Sequence, residues 1–422
     1  MIHNKRKIIN DPVHGFIAIP NDFIFDVIEH PYFQRLRYIK QLGLTYLVYP
    51  GATHSRFQHA LGAMHLMGQA IDVLKQKGHD ITIDEQDGLL LAILLHDIGH
   101  GPFSHALESA LIENISHESL SRYFMDALMN DFSFDLRLAK QIFLNQYHKK
   151  FLHQLVSSQL DVDRLDYLMR DSYFTGVSEG VIGTDRIIKM LNVHNDELVV
   201  ESKGIYSIEK FIVARRLMYW QVYLHKTVLS AENLLIQILR RAKLVAKQPR
   251  GVIACSVLKL FLTKDFNHIS FLENPEAIGH FAGLDDTDIL SSIKAWTLSS
   301  DKVLALLSRR LMDRNLLKIE IQNTPFDPNY VEMKRHKAML QYHLDEDEVN
   351  YMVFTGDVAN KAYNPAFDKI LLLDKQNQVT DITKSSDQIN TELLSRTITK
   401  YFLCYPKDDS NDEDLVFKPL RH

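Results

Sequence analysis

Along roughly the first 250 positions, apolar residues recur at three- and four-residue spacing, the mark of helices that bury one stripe. Phe23, Val27, Ile28, Leu36 and Ile39 predict a helix over 22–42, interrupted at Pro31. A long helix is expected from about Ser55 to Lys77, ended by Gly78, and another from about Asp84 to His96. Further periodic stretches predict helices near 104–114, 117–129, 134–145, 149–169 and 184–192. Residues 1–20 read as polar and turn-rich around Asn10-Asp11-Pro12-Val13-His14-Gly15, and a short extended piece ends at Pro50-Gly51. Glu197 to Ser207, with Lys203-Gly204 in the middle, reads as a hairpin, and a long amphipathic helix covers about 208–247.

The period changes after about residue 310. Leu317 to Ile321 alternates as a strand does, Val353-Phe354 and Lys369 to Leu373 read as further strands, and a last one is expected at 397–404. Helices are predicted at 328–342 and 384–394. The expected organisation is mainly α: a helical catalytic core over 1–250, a helical connecting region over 251–310, a small α+β module over 311–407, and an acidic, mobile tail over 408–422.

Composition narrows the functional classes. The 422 residues are 46% hydrophobic and 24% charged, ordinary for a soluble globular chain but too many for one core. A net charge of −5 gives no global signal for nucleic acid, although basic runs stand at Lys5-Arg6-Lys7, Arg35 to Lys40, Arg215-Arg216 and Arg240-Arg241. The only cysteines are Cys255 and Cys404, which fits a reducing cytoplasm rather than a disulfide framework. No apolar stretch is long enough to span a bilayer, and Met1-Ile2-His3-Asn4-Lys5 lacks a secretory signal's apolar segment.

The chemistry concentrates in Leu94-Leu95-His96-Asp97-Ile98-Gly99-His100-Gly101-Pro102-Phe103-Ser104-His105. Adjacent residues inside a helix point about 100° apart, so His96 and Asp97 can share a metal only near a helix end. Gly99, Gly101 and Pro102 are expected to turn the chain there. His59 on the preceding long helix and Asp163 in Asp161-Val162-Asp163-Arg164-Leu165-Asp166 complete a candidate set of imidazole and carboxylate ligands. Carboxylates crowded beside apolar neighbours are costly unless paired or ligating. His105 and Glu108, three apart on one face, read as a hydrogen-bonded proton donor, and His117-Glu118 follows. The alternative reading makes Ser116 a plain helix cap with Glu118 reinforcing the first turn. His100 is placed to touch a phosphate, and Arg56, Arg164, Arg215 and Lys226 to neutralise one.

The pattern His59 … His96-Asp97 … Asp163 resembles that of the HD-domain phosphohydrolases. Phe33 to Gly43, Tyr49 to His59, Asp161 to Tyr167 and Tyr223-Leu224-His225-Lys226 resemble the dNTP triphosphohydrolase branch, over about residues 5 to 250. That branch includes a human protein joining a sterile-alpha-motif domain to an HD domain, and bacterial homologues without the added module. The resemblance implies an HD-domain helical core and cleavage of a dNTP at the α-phosphorus to deoxynucleoside and triphosphate. It implies one divalent metal (Fe, Mn, Ni, Zn, Co or Mg) on His59, His96, Asp97 and Asp163. By the same carry-over His105 with Glu108 serves the departing 5′ oxygen, and His100, His117 and Glu118 complete the catalytic set. Arg56, Arg164, Arg215 and Lys226 would hold phosphates, Gln41, Leu42, Tyr167 and Asp171 the sugar, and Tyr223 would lie beside the base. Lys7, Asn10, Glu29, Gln34 and Arg37 match positions for a guanine-type effector (GTP or dGTP), with Glu29 where the human relative has a shorter acid. Arg186, Lys203, His225 and Lys226 match a second effector, bound between subunits of a dimer or tetramer. Leu224 stands where relatives carry a polar residue near the base. Two other readings compete: an HD phosphodiesterase or nucleotidase on another phosphoester, without the Gly-Tyr-Pro string or neighbouring synthetase domain of known kinds, and a non-catalytic nucleotide sensor or single-stranded nucleic-acid binder.

Overall fold

Residues 1–20, read as turns, contain a hairpin: β1 (Ile8–Asp11) pairs antiparallel with β2 (Gly15–Ala18), Ile9 opposite Ile17. The Asp11 carboxylate accepts from the backbone N–H groups of Val13 and His14 at 3.0 and 2.9 Å and closes the turn. The structure, a computed structural model, describes residues 7–112, 115–132, 135–274, 276–360, 368–386 and 397–407, without the side chains of His105, Ser109 and Asn360.

The single helix expected over 22–42 is two short ones, α1 (Asp22–Glu29) and α2 (Pro31–Gln34), followed by a 3-10 turn over Arg35–Tyr38. Pro31 forces His30 into an extended conformation, which ends α1. The extended piece expected before Pro50 is instead a 3-10 turn over Gly43–Leu47. The helices expected over about 55–77 and 84–96 are α3 (Arg56–Gln76), with a Ser55–Gln58 capping box, and α4 (Ile83–Leu95), with a Thr82–Glu85 box. Both pack against each other, and Leu89 to Leu95 are buried without interruption.

Next come α5 (Ser104–Ala110), α6 (His117–Asp131) and α7 (Arg137–Phe143). The helix expected over 149–169 is split into α8 (Lys150–Val156) and α9 (Val162–Thr175), because Asp161 caps α9 by accepting from the Arg164 N–H. After α10 (Thr184–Met190) the hairpin is displaced from its expected place: β3 (Leu191–His194) and β4 (Glu197–Glu201) turn at Asn195-Asp196, both at positive φ. Lys203-Gly204 lies beyond it in a 3-10 turn. The helix expected over 208–247 is broken into α11 (Ile205–Met218) and α12 (Lys226–Ala246) by a π-helical turn over Tyr219–Tyr223, with the His225 side chain capping α12.

Five helices follow: α13 (Ser256–Thr263), α14 (His268–Glu273), α15 (Glu276–Ala282), α16 (Asp286–Trp296) and α17 (Lys302–Met312). Beyond it lie β5 (Lys318–Gln322), α18 (Pro328–Tyr342), β6 (Phe354–Asn360), β7 (Leu371–Leu373), β8 (Val379–Asp381), α19 (Ile382–Ser385) and β9 (Ile398–Tyr405). β9 runs antiparallel between β5 and β6, while β7 pairs parallel with β4, so the last stretch shares a sheet with residues 197–201. Of the helix expected at 384–394, residues 387–396 lie outside the described residues, as does the tail 408–422. No helix among the described residues is long and apolar enough to cross a membrane.

Candidate metal centre and catalytic cavity

Three helices deliver the candidate ligands to one point. His59 sits in the first turn of α3, His96 and Asp97 follow the last residue of α4, and Asp163 is the second residue of α9. Asp163 Oδ1 lies 3.1 Å from His59 Nε2 and 3.4 Å from His96 Nε2. Asp97 borders the same point, Oδ1 3.4 Å from His96 Nε2 and Oδ2 3.8 Å from His59 Nε2.

The other face of each ring fixes which nitrogen is free. His59 Nδ1 donates to Asp166 Oδ2 at 2.7 Å, and His96 Nδ1 donates to the Ile93 carbonyl at 2.6 Å. Both Nε2 atoms are then buried without a hydrogen-bond partner. Two orphaned imidazole nitrogens aimed at a carboxylate are the donor set of a divalent cation, so these residues fit the metal.

The protonation pattern agrees. Burial alone would lower the His59 pKa, but the Asp163 and Asp166 carboxylates facing its two nitrogens raise it to about 10. Burial opposes charge on His96 too, and Asp97 and Asp163 outweigh it and raise its pKa. Burial would raise Asp163, yet the two imidazoles hold it well below the carboxylate range. In the metal-free protein the His59 ring therefore carries a proton that a metal must expel, and the raised His96 pKa adds to that competition. The logarithm of apparent metal affinity is expected to rise with pH, by at least about one per pH unit between about pH 6 and 8, the share of the His59 proton. Calorimetric titration in buffers of differing ionisation enthalpy counts the protons, and a pH-independent affinity contradicts this ligand set.

Behind His59 stands a network that sequence reading missed. Asp166 accepts from His59, from His14 Nε2 at 2.6 Å, and from Arg170 Nε and Nη2 at 2.9 and 3.0 Å. Arg170 also reaches Asp11 at 2.7 Å, so the N-terminal hairpin is tied to the metal-facing ring. Burial would raise the Asp166 pKa, but Arg170, His14 and His59 hold it well below the usual range. A Cβ at Gly62 would collide with Asp166 Oδ1 and Arg170 Nη2, so glycine on α3 makes room for the pair.

The turn after Asp97 is held from outside. Ser121 of α6 donates to the His96 carbonyl at 2.7 Å and accepts from the Gly99 N–H at 2.9 Å. Arg35, buried rather than solvated, donates to the Ile98 and His100 carbonyls at 2.8 and 2.7 Å, between the rings of Phe124 and Phe281. The expected glycines serve close approach: a Cβ at Gly99 would strike the α6 backbone, and one at Gly101 would meet Phe281 Cζ at 3.0 Å. The left-handed residue is Phe103, at φ 50°. Residues of the connecting region thus buttress the site, since Phe281 is on α15 and Asp286 of α16 accepts from the Lys40 N–H at 3.0 Å.

A second imidazole group lies across Asp97. His100 Nε2 is 3.2 Å from Asp97 Oδ1, and its Nδ1 donates to Ser104 Oγ at 2.9 Å. Burial, then the Arg56 charge, holds the His100 pKa well below its ordinary value. Its ring stacks on His117 at 3.9 Å. His117 Nδ1 faces Glu108 at 3.3 Å and Nε2 faces Glu118 at 3.4 Å; these acids outweigh burial and raise its pKa. Glu108, read as the partner of His105, thus faces His117; the His105 side chain lies outside the described residues. Ser116 does cap α6, accepting from the Ser119 N–H at 3.3 Å.

These groups open on a cavity of about 590 Å³. Its wall includes Gln41, Leu42, Arg56, Arg164, Tyr167, Asp171 and Tyr223, all named from the sequence. Arg56 donates to Asp97 at 2.6 Å, and Arg164 pairs with Asp161, whose carboxyl burial raises to about 6 despite that partner. Asp171 accepts from His54 at 2.8 Å and from the Tyr223 hydroxyl at 2.7 Å. Arg215 stands behind the wall, donating to Gln159 at 3.2 Å. The effector candidates lie elsewhere: Arg37 donates to Gln34 at 2.7 Å, Lys7 lies over Phe25, and Arg186 reaches the Lys203 carbonyl. Asn10, Glu29 and Lys226 are exposed, and His225 caps α12.

The HD domain family matches residues 56–171, and an HD associated region matches residues 182–248. YwfO of Bacillus subtilis, an uncharacterized protein, is 32% identical over 423 residues, covering 96% of this chain and 93% of that one. The chain belongs to the HD-domain phosphohydrolase family. Among solved structures, a phosphohydrolase from Bacteroides thetaiotaomicron is 49% identical to this HD-domain protein with a TM-score of 0.93, over 96% of this chain and 100% of that one. A Dictyostelium discoideum homolog of the deoxynucleoside triphosphate triphosphohydrolase SAMHD1 is 37% identical over 247 residues. That match spans 54% of this HD-domain protein but only about half, 48%, of the relative.

Proposed function

We propose that this protein hydrolyses deoxynucleoside triphosphates at the α-phosphorus, releasing deoxynucleoside and triphosphate. The observation that carries the reading is one cavity whose wall joins Asp97, Asp163, His100 and His117 to two arginines and to Gln41, Leu42, Tyr167 and Asp171. The SAMHD1 relatives add support.

A divalent cation, when bound by His59, His96, Asp97 and Asp163, supplies a Lewis acid and lowers the pKa of water. Arg56, fixed by Asp97 and Ser104, and Arg164, braced by Asp161, neutralise charge on non-bridging phosphate oxygens. His117 holds its proton between Glu108 and Glu118, ready for the departing 5′ oxygen, a donation the resemblance gives to His105. Asp171, with His54 and Tyr223 on its two oxygens, is oriented toward a 3′-hydroxyl, while Leu42 and Tyr167 crowd the 2′ position.

The test is product identity. The purified protein is incubated with each dNTP and rNTP, with and without GTP and with Mn²⁺ or Mg²⁺, and the phosphorus product is identified. Triphosphate is expected; pyrophosphate or orthophosphate overturns the reading. Leu42→Ala is expected to reduce the preference for dATP over ATP about tenfold, the scale of a few lost apolar contacts. An unchanged ratio of kcat/KM removes Leu42 from sugar selection. Guanine-nucleotide activation belongs to the same proposal and rests on the Lys7, Asn10, Glu29, Gln34 and Arg37 matches. A GTP titration that leaves turnover and oligomer size unchanged abandons it.

A further inference from the structure

Four carboxylates face the cavity: Asp97, Asp163, Asp171 and Glu232. The first three are engaged by Arg56, by His59 and His96, and by His54 and Tyr223. Glu232 has no hydrogen bond or ion pair among the described residues. A half-buried acid left unpaired is costly unless a ligand engages it.

Its place identifies that ligand part. Glu232 is on α12, and its Oε1 lies 4.0 Å from where a Cβ on Gly43 would stand, one residue beyond the Gln41-Leu42 pair of the sugar wall. Its surroundings in the wall are apolar: Phe103, Leu229 and Leu235. Burial alone moves its ionisation, raising the pKa to about 7, with no cation contributing. A triphosphate would be repelled there, and its charge belongs with Arg56 and Arg164. Of the two wall positions that the resemblance puts near the base, the Tyr223 hydroxyl is held by Asp171 and Leu224 is apolar.

Building on the dNTP reading, we infer that Glu232 reads the base, accepting from edges rich in N–H donors, guanine's foremost, and disfavouring thymine. Guanine offers adjacent N1–H and N2–H donors to an ionised carboxylate. Thymine's single N3–H is flanked by two carbonyls that repel it. A protonated carboxyl, which both donates and accepts, pairs with either base. Discrimination therefore grows as Glu232 ionises.

Other titrating groups share the cavity. Lys40 comes from the turn before Gly43, Arg56 from α3, and Asp97, His100 and His117 from the HD turn and α6. From α9 come Asp163, Arg164, Tyr167 and Asp171, and from the π turn Tyr219 and Tyr223; α5, packed against α12, brings Glu108 facing His117. They act on every nucleotide alike, so a ratio between two bases in one tube cancels them.

The experiment is internal competition of dGTP against dTTP with the metal-loaded full chain, GTP present throughout, at pH 6, 7 and 8. A group titrating near 7 gains roughly tenfold in ionised fraction across that range. The dGTP:dTTP ratio of kcat/KM is expected to rise by up to about tenfold, the scale of a hydrogen bond to a charged group. Glu232→Gln, which donates and accepts at every pH, is expected to give a flat ratio, and Glu232→Leu a flat and lower one. A flat wild-type ratio, or a Gln variant that tracks wild type, overturns the inference while leaving dNTP hydrolysis standing. Absence of turnover of any dNTP overturns the substrate reading and this inference with it.

Discussion

Asp163→Ala is expected to abolish tight metal binding and with it turnover. Asp163 is the carboxylate that both free imidazole nitrogens face, at 3.1 and 3.4 Å. Loss of a ligand's outer hydrogen-bond partner alone typically costs 10–100-fold in metal affinity or activity, so loss of the ligand should exceed about 100-fold. Elemental analysis after desalting reads the metal, and initial rates at saturating metal read the chemistry. Asp163 is partly exposed and stands at a helix start, so the variant should fold. A variant that keeps its metal and its rate removes Asp163 from the centre.

Arg170→Leu should damage the fold itself. Arg170 is wholly buried and is the cation between Asp166 and Asp11. Removing one partner of a buried ion pair costs about 3–5 kcal/mol, because the remaining charges are left without compensation. Denaturant unfolding at neutral pH measures this loss. The sign of its pH dependence follows from Asp166. Its folded pKa is depressed, so its contribution is present above the unfolded value and is lost as pH falls through the folded one. The gap between wild type and variant should therefore be widest above about pH 4 and shrink on acidification. A second readout is metal affinity, expected to fall roughly 10–100-fold as His59 loses its orientation. Equal stability at neutral pH would show that the Asp11–Arg170–Asp166 network bears no weight.

The candidate centre was legible because the residues proposed as its ligands stand in the first turn of a long capped helix or at helix ends. α3 is buried along most of its length and α4 carries an unbroken apolar run, both begin at capping boxes, and His96-Asp97 falls where α4 stops. The network behind it closes between residues far apart, His14 and Asp166 being 152 positions distant, and no local pattern announces that. One signal was available: Asp166 and Arg170 are four apart on one helical face. The split between α8 and α9 was likewise readable from Ser157-Ser158 and the Asp161 cap. The π turn at Tyr219–Tyr223 was not, since no glycine or proline marks it and the apolar period continues through. Arg35 misled in the other direction: within a basic run it looks like surface, yet it is 6% exposed and holds the HD turn.

Anomalous diffraction from crystals of the full chain, grown with Mn²⁺, tests the central claim most directly. One site per chain is expected, with His59 Nε2, His96 Nε2 and oxygens of Asp97 and Asp163 each about 2.0–2.3 Å from the peak. A peak elsewhere, or no peak while dNTPs are still hydrolysed, would contradict it.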